Sequence, residues 1–280
     1  MIGAIIGDIV GSRFEGSNHK SKDFELFASD CRLTDDSIMT LAVGKAILEA
    51  EKTRGTSLNQ NPFDSIDYDL LEALAVHYMQ EIGRKYPDCG YGGNFMEWIF
   101  STDPKPYNSY GNGAAMRVSP AGLAGRTEMD ALERAKRVTK VSHNHKEGLK
   151  GAEAVTLAIY MARKGLSKSS IYSRINADYY SLDFKLDNIR DSYEFDVSCQ
   201  GSVPQAIKAF IEAMSFEDAI RTAISIGGDS DTIAAITGSI AASFYGVPDS
   251  LKEKAFSYLD ENLIKVYEEW QAFIDEQIKK

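Results

Sequence analysis

At 280 residues, 44% of them hydrophobic, the chain is long enough to enclose a full core. Its 31 basic and 41 acidic residues give a formal charge of -10 with no long basic run, which argues against generic nucleic-acid or anionic-membrane binding, since both need Lys and Arg to neutralise phosphate. No apolar stretch approaches the roughly 18 residues of a membrane span, and three widely spaced cysteines, Cys31, Cys89 and Cys199, match neither a disulfide framework nor a zinc site, so a soluble protein of the reducing cytoplasm is expected.

Along the chain, Ile2 to Ile6 are apolar but lack a basic leader and run almost at once into Asp8, a poor signal peptide. In the same segment Gly3, Gly7 and Gly11 recur every four residues, which places them on one helix face where a neighbouring backbone can come close. Apolar residues at three- and four-residue steps predict helices over 37–51, 66–85, 128–141, 147–164, 203–214, 216–226 and 232–245. Thr127 and Ser215 are expected as N-caps, and Gly165 and Gly246 stand where helices should stop. Residues 249–280 read as one or two amphipathic helices. The stretches 87–93, 103–113 and 178–202, rich in Gly, Pro, Asn, Asp and Tyr, read as loops. Strand-like alternation is scarce and no linker divides the chain, so one all-α domain over residues 1–280 is expected, with no solenoid repeat.

Two hydroxyl-and-carboxylate clusters stand immediately before helices: Thr34-Asp35-Asp36-Ser37, and Asp229-Ser230-Asp231-Thr232 after Gly227-Gly228. Either alone is an ordinary N-cap, with carboxylates complementing the helix dipole. Together they allow another reading, because carboxylates converging on one cleft repel unless cations lie between them. Oxygen ligands without His or Cys suit Mg²⁺ or Mn²⁺ better than zinc or copper. The glycines of Ser109-Tyr110-Gly111-Asn112-Gly113 suit a phosphate cradle of backbone N–H groups, or an ordinary turn before a helix. His143 in His143-Asn144-His145 reads as a structural histidine or a ligand contact, and least as part of an HNH nuclease.

Taken together the motifs resemble the ADP-ribosylglycohydrolase family. They are Gly7-Asp8-Ile9-Val10-Gly11 followed by Glu15, the Thr34 to Ser37 cluster, Gly111-Asn112-Gly113-Ala114-Ala115-Met116-Arg117, Ser142-His143-Asn144-His145, and Gly227 to Thr232, in the family's order. The resemblance implies a compact multi-helix bundle with two Mg²⁺ or Mn²⁺ ions held by Thr34, Asp35, Asp36, Asp229, Asp231 and Thr232. It also implies ADP-ribose contacts from Ser109, Tyr110, Gly111, Asn112, Gly113 and His143. Glu15 matches an acidic residue beside the metals, and Asp88 an Asp that arginine-directed members place against the guanidinium or the water. Tyr91-Gly92-Gly93 looks like an insertion beside it, and Ser37 replaces the commoner Thr.

The activity so implied is hydrolysis of the N- or O-glycosidic bond of an ADP-ribosylated protein or small molecule, with an arginine linkage slightly favoured. Glu15 or Asp88 is then the base, and Asp36 joins them as a catalytic candidate. A monomer is favoured. The rivals are an all-α Mg²⁺-dependent isoprenoid synthase, whose DDxxD spacing fails here because Met39 holds the fifth position, and an inactive ADP-ribose-binding protein.

Overall fold

The computed structural model describes residues 1–54 and 66–278. The first half carries α1 (Ile2–Gly11), α2 (Asp35–Lys52), α3 (Tyr68–Gly83), α4 (Gly93–Phe100), α5 (Gly113–Met116), α6 (Ser119–Ala124) and α7 (Glu128–Lys140). The second carries α8 (Lys146–Arg163), α9 (Lys168–Asp178), α10 (Leu186–Ile189), α11 (Cys199–Glu212), α12 (Phe216–Ile224), α13 (Ser230–Tyr245), α14 (Asp249–Phe256) and α15 (Glu261–Ile278). Among the described residues there is no strand, only an isolated bridge between Gly111 and Ser198. The all-α expectation holds.

Each helix predicted from periodicity is present, and the shifts at the ends have local causes. Asp67 caps α3 by accepting N–H bonds from Asp69 and Leu70, so that helix starts after Ile66 rather than on it. Ser198 caps α11 by accepting from the Gly201 N–H, which starts the helix a turn before Val203 and leaves Pro204 inside it. Thr127 and Ser215 cap α7 and α12 as expected. The helices that periodicity did not predict are mostly short. α9 is longer, but it buries only Ile171 and Ile175 and so shows no apolar stripe.

α13 is the axis of the domain. It is buried from Ser230 to Ala241 and packs against α1, α8, α11 and α12. Its contact with α1 is backbone on backbone. A methyl group added at Gly3 would lie 2.1 Å from the Gly238 carbonyl oxygen, one at Gly7 2.1 Å from that of Ala234, and one at Gly11 2.5 Å from the Asp231 Cα. The glycine face therefore sets the spacing between Asp8 on α1 and the start of α13. A continuous apolar core extends from Met1 to Trp270, with α15 laid against α2. Among the described residues, no helix is long and apolar enough to cross a membrane.

Candidate active site

The first wall of the site is the start of α2. Thr34, the N-cap, accepts the Asp36 N–H at 3.4 Å and donates its hydroxyl proton to Asp8 Oδ1 at 2.6 Å. Asp8 is fully buried, and its Oδ2 also accepts the backbone N–H groups of Thr34 and Ser37, each at 3.1 Å. One carboxylate on α1 thus fixes the whole turn that presents Asp35 and Asp36. The Asp35 N–H is tied in turn to the Cys89 carbonyl at 3.0 Å.

The second wall is the start of α13. Gly227 and Gly228 have φ of +73° and +74°, a conformation that side chains disfavour. Crowding adds to the requirement, since a Cβ at Gly227 would sit 2.1 Å from Asn18 Oδ1. That same Asn18 oxygen accepts the Gly228 N–H, and Lys20 ties down the Ile226 and Tyr193 carbonyls at 2.7 Å each. Beyond the turn, Asn112 Nδ2 donates to Asp229 Oδ2 at 2.7 Å, and the Thr232 hydroxyl donates to Asp36 Oδ2 at 3.1 Å, joining the two clusters directly.

Between these walls lies a cavity of about 360 Å³. It is lined by Asp35, Asp36, Asp229, Asp231, Thr232 and Glu15, and by Ser109, Gly111, Asn112, Gly113 and His143, as the sequence led one to expect. Thr34 stands buried behind the lining, oriented by Asp8. Two further expected residues also lie outside the lining. Tyr110 projects outward, half exposed, with its ring edge on His145, and only its carbonyl is engaged, accepting from the Cys199 N–H. Asp88 is exposed and outside the lining, although Gly90, two residues on, belongs to it.

Burial and mutual repulsion raise the acid groups of the site. Asp35 is pushed up to about 7, by burial first and by neighbouring Asp8 next, and burial takes Asp8 to about 6. Asp36 and Asp231 are held well above the usual carboxylate range by burial and by neighbouring carboxylates. Glu15 rises because of partial burial and Asp229, opposed by Arg32 at 3.5 Å. Oxygen atoms of Glu15, Asp229 and Asp231 lie within 4.8 Å of one another, and Asp36 Oδ1 is buried with no hydrogen-bond partner. An all-oxygen cage that costs this much to ionise alone is the donor set a hard divalent cation satisfies.

The fold and the cage agree with what comparison finds: a family model described as ADP-ribosylglycohydrolase matches residues 1–274. The chain belongs to the ADP-ribosylglycohydrolase family. That membership disposes of the isoprenoid-synthase alternative. Similar proteins include the ADP-ribosylhydrolase ARH3 of Mus musculus, 28% identical over 96% of this chain and 91% of its own length, and that of Homo sapiens, 26% identical over 94% and 90%. The ADP-ribosylarginine hydrolase Tri1 of Pseudomonas putida is 26% identical over 92% of this chain and 73% of its own. Among solved structures, an ADP-ribosylglycohydrolase-related protein complex shares the fold, with a TM-score of 0.61 at 22% identity over 92% of this chain and 95% of that one.

Several further residues shape the site. Asp8 carried a signal, being a lone carboxylate inside an apolar helix that has no water to meet it. Arg117, at the end of the 111–117 motif, is fully buried at the cavity wall with its guanidinium 5.1 Å from the centre of the Phe95 ring. Phe95, Tyr107, Phe195 and Val197 also line the cavity, and nothing in their local sequence distinguishes them from other apolar residues.

Proposed function

We propose that the protein hydrolyses the glycosidic bond joining an ADP-ribosyl group to its acceptor, releasing ADP-ribose, with two Mg²⁺ or Mn²⁺ ions held by Thr34, Asp35, Asp36, Asp229, Asp231 and Thr232. The observation that carries the reading is the convergence of both helix starts and Glu15 on one cavity, where Asp36 Oδ1 is left without a partner. Cations held by these residues would supply orientation of the ribose hydroxyls and a lowered pKa for a water. The remaining work falls to the chain's own groups.

Asn112 holds Asp229 in position, and the Ser109 to Gly113 loop with His143 forms the wall suited to the diphosphate. Glu15 is the better-placed base, since it lines the cavity beside Asp229 and Asp231 while Asp88 does not. Its raised pKa suits a carboxylate that takes a proton from water and returns it to the leaving group. Asp36, linked to Thr232, keeps the facing helix starts in register. Charge builds toward an oxocarbenium ion at the anomeric carbon, and the acidic wall is matched to it.

An arginine linkage is the acceptor we favour. The similarity to the ADP-ribosylarginine hydrolase of Pseudomonas putida supports it, whereas the exposed position of Asp88 withdraws part of the sequence argument. A cytoplasmic monomer completes the reading, its location being supported by three free thiols. The test is ADP-ribose release from ADP-ribosyl-arginine and ADP-ribosyl-serine peptides side by side. Release from the arginine peptide alone supports the whole reading, and release from the serine peptide alone keeps the reaction and replaces the acceptor.

A further inference from the structure

Arg117 is a fully buried guanidinium with no carboxylate in hydrogen-bond or ion-pair contact among the described residues, and its Nε and Nη1 atoms are buried without a hydrogen-bond partner. Its Nη2 reaches Ser142 Oγ at 2.6 Å and His143 Nδ1 at 3.4 Å, and Ser142 Oγ itself stands 3.0 Å from Nδ1. The donor-only member of this network sets its most favourable direction. A guanidinium only donates, so Ser142 Oγ accepts from Arg117 and keeps its own proton free to donate to Nδ1. With the Arg117 Nη2 donor also 3.4 Å away, Nδ1 is best matched by a lone pair, since an Nδ1 proton would face the guanidinium protons.

The consequence falls on the other ring nitrogen. In that arrangement the proton falls to Nε2, which faces the phosphate-type loop, 3.3 Å and 3.8 Å from where Cβ atoms on Gly113 and Gly111 would stand. Among the described residues, the ring's side-chain hydrogen bonds run through Nδ1 alone. Phe95 and Tyr107, with ring centres 5.9 Å and 5.4 Å from the imidazole, hold its plane. We infer that Arg117 and Ser142 are positioning residues that lock His143 as the neutral tautomer protonated on Nε2, a fixed hydrogen-bond donor aimed into the cavity for an anionic phosphate oxygen of the substrate.

The ligand half of this inference rests on the ADP-ribose reading above, whereas the tautomer does not. An imidazole kept neutral adds no mobile charge near the acidic wall, and a cation behind it supplies positive potential toward a diphosphate without exposing a side chain that would pair with the carboxylates. Burial and Arg117 both hold the imidazole pKa well below its usual value, in keeping with that geometry.

The experiment is long-range nitrogen–proton correlation spectroscopy of the imidazoles in the full chain, which has 4 histidines, with His143 assigned from a His143→Gln variant. The expected result for the ligand-free protein is one tautomer, proton on Nε2, unchanged from about pH 5 to about pH 8. Adding ADP-ribose should then shift the Nε2 resonance and leave Nδ1 nearly unmoved. Arg117→Lys keeps a donor-only cation and should retain the tautomer, and Ser142→Ala, a small change with little risk to folding, should give mixed tautomers and at least a several-fold weaker ADP-ribose Kd. A proton on Nδ1, an imidazolium at neutral pH, or a Ser142→Ala spectrum identical to wild type would overturn the inference. Failure of hydrolysis with the tautomer intact would instead count against the proposed reaction.

Discussion

Replacing Gly7 by Ala tests whether the α1–α13 contact builds the site as well as the fold. The added methyl would lie 2.1 Å from the Ala234 oxygen, 2.3 Å from its carbonyl carbon and 2.6 Å from the Ala235 nitrogen, all backbone atoms of a helix buried along most of its length. No side chain can turn aside, so the helices must separate by more than 1 Å. Overpacking of this kind costs about 1–3 kcal/mol, and a backbone obstruction belongs at the upper end. With an m-value of roughly 3 kcal/mol/M, urea melts should show a midpoint lower by about 1 M. Separation would also carry Asp8, and with it Thr34 to Asp36, away from Asp231, so Mg²⁺ affinity by calorimetry should fall at least ~10-fold, about 1.4 kcal/mol. Gly92→Ala is the control, because its methyl meets nothing within 4 Å and its stability should stay within about 0.5 kcal/mol of wild type. A Gly7→Ala protein with wild-type midpoint and wild-type Mg²⁺ affinity would refute the reasoning.

Other expectations concern single groups. Asn112→Ala removes the donor to Asp229 and should lower metal affinity or turnover by about 10–100-fold in titration and rate assays, with little change in the melting curve. Asp8→Asn places an amide N–H₂ among the N–H and O–H donors of Thr34 and Ser37, and should cost about 2–3 kcal/mol in urea melts. The raised carboxylates give a pH signature. A group such as Asp8 or Asp35, lifted from 3.8 to about 6 or about 7, contributes stability that is present at low pH and lost as pH rises through the folded value. In metal-free protein Asp35 is mostly protonated at pH 6 and Asp8 about half so, and Mg²⁺ binding should release protons there and fewer as the pH rises, read by calorimetry in buffers of different ionisation enthalpy. Binding with no proton release at pH 6 would contradict the described electrostatics.

The legible parts of the site were those where local chemistry and long-range role coincide. Thr34 and the 227–232 segment had to be helix starts whatever else they did, so their caps and glycines were visible in sequence, and the glycine face of α1 announced its partner's closeness without naming α13. What escaped depended on distant partners. Nothing near Asn112 indicates that its amide meets Asp229, 117 positions away, and nothing around Arg117 indicates that it turns toward Ser142 and His143. Tyr110 and Asp88 show the opposite failure: nearby Gly111 and Gly90 line the cavity while Tyr110 and Asp88 themselves are exposed outside it, because proximity along a loop does not place a side chain in a site.

The most direct measurement is the rate of ADP-ribose release from an ADP-ribosyl-arginine peptide by the wild-type chain with Mg²⁺, with Mn²⁺ and with chelator, beside Asp231→Asn in saturating metal. The account predicts release that chelation abolishes, that either cation restores, and that the variant loses by at least about 100-fold without losing its fold, as expected of a ligand to the catalytic metal. Undiminished release in chelator, or by Asp231→Asn, would contradict it.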